Sequence, residues 1–443
     1  MRRPTGLLVL TMIGSAAPLV AQAPLRLSFA DAVRRATGEA PVVQLATLRT
    51  DEARARVREA RGALLPALTV SGVWVNRSFN SKSLGITFPT IPGQKPFPEL
   101  IGPFNNYDGR LTVTQTLFDW ASVTRVRAAA AQADGSRAER GVTVEAAAQA
   151  AALAYLRAAR ADAVLAARQA DSTIAAELVT LAVAQKTAGV SAALDVTRAR
   201  TQLVRAAGLL IVARNERDRA RIDLGRALGL DPVTPLEPSD TLAGTLGAAQ
   251  VPGERDAAIT GALAARPDLG AELARAAAAQ RAGSAIRAER LPRIGVEGDY
   301  GSNGPSVPGA IATRQVALEV TLPLLDGFRR EARLSEQDAI VRESAVRERD
   351  LRQQIAADVE AALLDLHSAQ AQQVVALDQL RLAEDELSQS RQRFRAGVAG
   401  NIDVIEAQAN LIRGRDADID ARFAAAVARV ALARAAGVAR TLH

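Results

Sequence analysis

The sequence is written twice, and that duplication limits what it can fold into more than any other feature. Leu65-Pro66 followed by Leu68, Val70 and Gly72 returns as Leu291-Pro292 followed by Ile294, Val296 and Gly298. The run Val113 to Asp119 returns as Val320 to Asp326, and Gly189-Val190 with Leu194-Asp195-Val196 returns as Gly397-Val398 with Ile402-Asp403-Val404. Any architecture must therefore be assembled from two like units. The first copy is longer between its first two landmarks, and the extra residues fall in Ser78 to Asn106, where Pro89, Pro92, Pro96, Pro98 and Pro103 predict neither helix nor regular strand. A second proline-rich stretch, residues 231–257, reads as the linker between a first unit at 24–230 and a second at 258–443.

Each unit holds two short segments of alternating character. Ile294, Val296 and Tyr300 alternate with Arg293, Glu297 and Asp299, and Val316, Leu318, Val320 and Leu322 alternate with Gln315, Ala317, Glu319 and Thr321. In the first unit Leu111, Val113 and Leu117 alternate with Thr112, Thr114 and Thr116, with Gln115 interrupting the apolar side. Strands with one apolar and one polar face fit an outer-membrane barrel, lipid outside and wet lumen inside, which places Arg293, Glu297, Asp299 and Glu319 toward the lumen. More than half of the aromatic residues crowd between Trp74 and Trp120, as membrane-interface girdles do. Four strands cannot close a barrel, and an open edge in lipid strands backbone groups at a cost of several kcal/mol each. A spanning chain must then oligomerise, and three copies would supply twelve strands.

Between these strands and each tip glycine lies a proline-free, alanine- and arginine-rich run, Ala121 to Ala188 and Arg329 to Ala396. At about 1.5 Å per residue each predicts a helix on the order of 100 Å long. In the second, Leu380, Leu387 and Phe394 recur at sevens, as in a coiled-coil seam. Gly189 and Gly397 are expected to cap these helices in the left-handed conformation, and a returning helix is expected to start at Asp195 or Asp403, whose carboxylates suit the positive end of its dipole. The fold class is thus mainly α with a small β part, built on duplicated helical hairpins.

Function is narrowed by what surrounds this pattern. Arg2 and Arg3, an uncharged apolar run from Gly6 to Val20 and Ala21-Gln22-Ala23 have the layout of a secretory signal peptide, so residues 1–23 are expected to be removed on export. There is no cysteine, which rules out disulfides and thiolate chemistry and leaves membrane attachment to the polypeptide itself. The formal net charge of +7 is spread along helices with acidic residues interleaved, which argues against nucleic-acid binding. His367 and His443 are the only histidines, and no metal-ligand cluster, phosphate loop or nucleophile motif accompanies them, so neither an enzyme nor a cofactor is expected.

The ordered series carries a resemblance: Leu-Pro and a strand, a loop, a strand ending in Leu117-Phe118-Asp119 or Leu324-Leu325-Asp326, a very long helix, then Gly-Val and Asp-Val, all repeated. It resembles the TolC-like outer-membrane efflux proteins across essentially the whole chain after the signal, including the opening Leu27 to Val33. The resemblance implies a homotrimer with a twelve-stranded barrel in outer-membrane lipid and a helical tunnel through the periplasm. It also implies a periplasmic adaptor protein meeting the hairpin tips, here Gly189, Val190, Gly397 and Val398, and an inner-membrane transporter that supplies energy. Acidic residues ring the entrance in such proteins, which carries over to Asp403, Glu406 and Asp195. Ala399 stands where some relatives place a basic residue, so a salt-bridge latch there is not expected. The competing reading is a periplasmic adaptor-like or other secreted coiled-coil protein, which would share the hairpins but lack the paired strands.

Overall fold

The computed structural model describes residues 24–85, 92–93, 98–242 and 246–442. The signal-peptide segment, Pro89 and Pro96 lie outside the described residues. Each half opens with a helix–proline–helix unit, α1 (Phe29–Glu39) with α2 (Pro41–Gly62), and later α5 (Arg255–Ala265) with α6 (Pro267–Ala288). Pro41 and Pro267 occupy the first turns of α2 and α6, where the missing N–H costs nothing. Ser28 caps α1 by accepting from the Asp31 N–H at 3.1 Å.

A β-hairpin follows each unit: β2 (Ala67–Asn80) with β3 (Leu100–Asp119), and β5 (Arg293–Gly304) with β6 (Ile311–Thr321). The four strands form one antiparallel sheet in the order β2-β3-β5-β6. Strand pairing reaches into the segment expected to be irregular, because Asn80 pairs with Leu100 and Phe79 with Ile101. Pro103 falls within β3, and the ladder runs past it. The linker also contains structure: β4 (Leu236–Pro238) pairs in parallel with β1 (Leu25–Leu27).

The long helices are α3 (Trp120–Thr187) and α7 (Arg329–Arg395), returning as α4 (Ala193–Ala227) and α8 (Asn401–Ala435). α3 and α7 end in the same way. Gly189 and Gly397 adopt φ of 77° and 73°, and the following valines donate back to the Gln185 and Arg393 carbonyls at 3.0 and 3.1 Å. These are Schellman caps, and only glycine takes that φ without steric cost. Long alanine faces let the helices approach closely; Gly414 of α8, for example, lies where a Cβ would meet the Leu380 backbone of α7 at 3.3 Å.

Packing divides the helices into two rows that share α3 and α7. Near the sheet α2 packs on α3, α3 on α6 and α6 on α7; toward the tips α4 packs on α3, α3 on α8 and α8 on α7. Where the rows meet, the main core gathers Phe29, Val33, Tyr155, Leu156, Leu224, Leu236 and Val430 from both halves. Here the linker, the start of the described chain and its end converge on α3. The Tyr155 hydroxyl lies 3.0 Å from the Leu27 carbonyl and from the Asp240 carboxylate, and accepts from the Asp240 N–H at 3.0 Å. Glu145, buried on the same helix, accepts from the Ala439 N–H at 2.7 Å in the C-terminal 3-10 turn (Ala439–Thr441). Burial holds its carboxyl above the usual range.

Tyr155→Phe is expected to cost about 1–3 kcal/mol, because it leaves the Asp240 N–H unpaired, whereas the Leu27 carbonyl keeps the Ser239 N–H at 2.9 Å. Chemical denaturation of the purified protein checks this. Burial pushes the Tyr155 phenol up to about 12, above its ordinary value of about 10. Its stabilising contribution is therefore complete below pH ~10 and is lost as pH rises through ~12.

Candidate functional site

Register turns the sheet into two chemically distinct faces. Thr112, Thr114 and Arg110 of β3 face the same way as Asp299 and Glu297 of β5 and Gln315 and Glu319 of β6, because Thr112 pairs with Asp299 and Asp299 with Gln315. Arg293 joins this face opposite Asp119 and Thr321. All four strand residues singled out from sequence therefore share the polar side. Arg110 ties it together by donating to Asp108 at 2.9 Å and to Asp299 at 2.6 Å. The other face carries Leu68, Val70 and Trp74 with Leu111, Val113, Val316, Leu318 and Val320, and its members are widely exposed, Val316 by 80%.

One detail of the alternation is corrected. A bulge lies between Thr116 and Phe118, so Phe118 rather than Leu117 continues the apolar face by pairing with Ile294. The extra residue also restores Asp119 to the polar face opposite Arg293. Among the described residues no helix is long and apolar enough to cross a membrane.

At the far end of the long helices the two hairpins meet. Leu178, Ala182 and Val196 from the first pack with Leu387, Phe394, Val404 and Leu411 from the second. Side-chain hydrogen bonds join them: Gln185 Nε2 donates to the Phe394 carbonyl at 2.7 Å, Asn401 Nδ2 to the Asp195 carbonyl at 2.8 Å, and Arg391 to the Glu177 carboxylate at 3.3 Å. Val190 and Val398 protrude beside the cap glycines, each 69% exposed. Both returning helices start two residues earlier than expected, at Ala193 and Asn401. Asp195 and Asp403 are consequently third in their helices, where their carboxylates suit the positive end of the dipole. Asp195 stands 3.9 Å from Arg198, whereas Asp403 and Glu406 have no ion pair among the described residues.

Higher up, α3 and α8 are wired by charge. Asp171, with a side chain only 3% exposed, accepts from Arg168 at 3.1 Å and from Arg415 at 2.6 Å, and Arg168 also holds Asp416 at 2.6 Å. Burial alone would lower the Arg168 guanidinium pKa, but Asp416 and Asp171 reverse that and hold it above its ordinary value. Sequence reading missed this cluster and the Gln185 and Asn401 bridges, since no local spacing announces partners on another hairpin. Among the described residues no group of three or more His, Asp or Glu side chains is placed to hold a metal ion.

The sequence model of the outer membrane efflux protein family matches residues 32–230 and 258–438. The chain belongs to that family. As an outer membrane efflux protein it is an outer-membrane exit channel for efflux or secretion. The paired strands and the family together remove the adaptor-like coiled-coil reading. Protein CyaE of Bordetella pertussis is 27% identical over 396 residues, covering 88% of this chain and 79% of that one. The CmeC outer membrane channel of Campylobacter jejuni superposes with a TM-score of 0.76 at 16% identity, covering 93% of this chain and 86% of that one. The outer membrane protein VceC of Vibrio cholerae gives 0.73 at 19% identity, covering 92% and 96%. These two likenesses speak for the fold.

Proposed function

We propose that three copies of the chain close into one duct, barrel above and helical tunnel below, with the tunnel extending through the periplasm. The observation that carries this reading is that all three rows stay open at corresponding ends. The sheet ends in β2 and β6, the upper helical row in α2 and α7, and the lower in α4 and α7. Large apolar side chains are exposed along these outer helices: Val42, Leu45 and Leu48 on α2, Val204 and Ile211 on α4, Leu364 and Val375 on α7. A rotation that brings β6 to the next copy's β2 would bring α7 to its α2 and α4, so one symmetric contact satisfies every edge. The duct is passive: a transporter in the inner membrane supplies energy, and an adaptor protein joins it to the hairpin tips around Gly189-Val190 and Gly397-Val398, in a tripartite efflux or type I secretion assembly.

The polar face of the sheet, with Arg293, Glu297, Asp299 and Glu319, lines the barrel lumen in this arrangement. At the entrance Asp403 and Glu406 from three copies form an acidic ring, which attracts cations and makes the constriction self-repelling. Asp195, beside Arg198, contributes less. The arrangement is tested by measuring the mass of the detergent-solubilised protein together with its conductance in a planar bilayer. A trimer forming pores supports it, and a water-soluble species without pore activity overturns it. Asp403→Asn with Glu406→Gln is expected to move the reversal potential in a salt gradient toward zero, as cation preference falls. An unchanged reversal potential would remove the acidic ring from the proposal.

A further inference from the structure

The two halves part company where the barrel hairpin hands over to the long helix. In the first, β3 runs through Leu117-Phe118-Asp119 directly into α3, which Asp119 caps by accepting from the Ser122 N–H at 3.1 Å. In the second, the matching Leu324-Leu325-Asp326 lies outside the sheet. β6 stops at Thr321, and residues 322–328 form an elbow that ends on two successive left-handed residues, Gly327 at φ 69° and Phe328 at φ 61°. The β5–β6 ladder ends where Thr321 pairs with Arg293, and Pro323 just beyond supplies no N–H to extend it.

The elbow is apolar, open and held in place. Leu324 is 84% exposed, Leu325 79% and Phe328 72%. Beneath them buried Arg330 donates from Nε to the Asp326 carboxylate at 3.0 Å, and from its terminal nitrogens to the Pro323 and Glu289 carbonyls at 3.2 and 3.3 Å. An aromatic residue in the left-handed region is strained, yet the Phe328 ring faces away from any core. Fixed geometry that thrusts three large apolar side chains outward marks a surface built for an apolar medium.

Length points to the same medium. Arg314, opposite Tyr300, is the last charged residue on the apolar face of β6, which continues through Val316, Leu318 and Val320. A barrel strand needs about 9–11 residues to cross the hydrocarbon core. Counted from Arg314, the edge of the hydrocarbon core falls at the elbow, just past the end of β6 at Thr321. Arg329 follows at once; it is exposed, donates from Nε to the Asp326 carbonyl at 3.0 Å and forms no ion pair among the described residues.

We propose that residues 322–328 are a membrane-interface anchor, with Leu324, Leu325 and Phe328 seated at the acyl boundary of a phospholipid leaflet and Arg329 at the level of its phosphates. The inference rests on reading the apolar face of the sheet as lipid-facing. Because the chain has no cysteine, single variants Leu318→Cys, Leu324→Cys and Phe328→Cys can each carry a nitroxide label in the assembled channel. Collision with oxygen and with a water-soluble nickel chelate is then measured in phosphatidylethanolamine–phosphatidylglycerol liposomes. Labels at 324 and 328 are expected to favour oxygen, at a shallower depth than the label at 318. Free nickel access at 324 and 328 with oxygen preference at 318 overturns the anchor and leaves the lipid-facing sheet standing. Access by neither reagent assigns the elbow to a contact between copies and also overturns it. Nickel preference at 318 sinks the underlying reading of the sheet. Adding Arg329→Glu to the Phe328→Cys variant is expected to raise nickel collisions severalfold, with Arg329→Lys close to unchanged; equal values for all three overturn the phosphate contact.

Discussion

Arginine at Leu318 is expected to prevent the channel from assembling in a membrane, while arginine at Glu319, one position along, is expected to leave assembly intact. The two side chains leave β6 on opposite faces, since successive strand residues alternate. Leu318 lies in the middle of the exposed apolar band, 67% open in the isolated subunit. A guanidinium near the bilayer midplane costs about 2–4 kcal/mol in each copy, against about 0–1 near the interfaces. Glu319 faces the polar side beside Thr321, whose hydroxyl donates to it at 2.9 Å. In the proposed arrangement its replacement changes lumen charge without moving a charge into lipid. Heat-modifiable migration after refolding into vesicles reads the result: Leu318→Arg should lose the folded band, and Glu319→Arg should keep it with altered ion selectivity. Equal behaviour of the two variants would mean that the faces are misassigned.

The second large effect is expected at Asp171. Its carboxylate is almost fully enclosed between Arg168 and Arg415, one on its own helix and one on α8. Asp171→Ala leaves two partly buried guanidinium groups short of a partner, although Arg168 keeps Asp416. Breaking a buried pair from one side costs about 3–5 kcal/mol, whereas replacing the whole cluster with apolar groups of similar size is close to neutral. Asp171→Ala should therefore lower stability in denaturant titrations far more than the combined Asp171→Leu, Arg168→Met, Arg415→Met and Asp416→Leu variant. If the combined variant is the weaker, charge and not packing joins the hairpins at this level.

Features set by local chemistry were legible in the sequence. The helix ends at Gly189 and Gly397 depend on one residue without a side chain, the long runs between on alanine and the absence of proline, and the sheet faces on alternation. Features set by distant partners were not. Tyr155 looks like any aromatic residue in an alanine-rich helix until Leu27 and Asp240 are brought to its hydroxyl. The bulge at Leu117 was hidden because a single extra residue shifts the period without changing composition. Asp195 and Asp403 were found as charges near a tip, but the Asn401 bridge that joins their hairpins is a contact between copies of the repeat, and a repeat read in one dimension does not say how its copies touch. The elbow after β6 was masked by the repeat itself, because Leu-Leu-Asp matches Leu-Phe-Asp in spelling while Pro323 breaks the match in geometry.

Because α3 and α7 belong to both helical rows, each is a continuous beam from the sheet to the tip. About half of α3 lies beyond Tyr155, a lever arm of roughly 50 Å at 1.5 Å per residue. A tilt of about 5° at that fulcrum sweeps the free end by roughly 4 Å, close to half the spacing of packed helices. A small torque applied at the waist is thus enough to displace the hairpin tip by several ångströms, with no joint needed along the shaft.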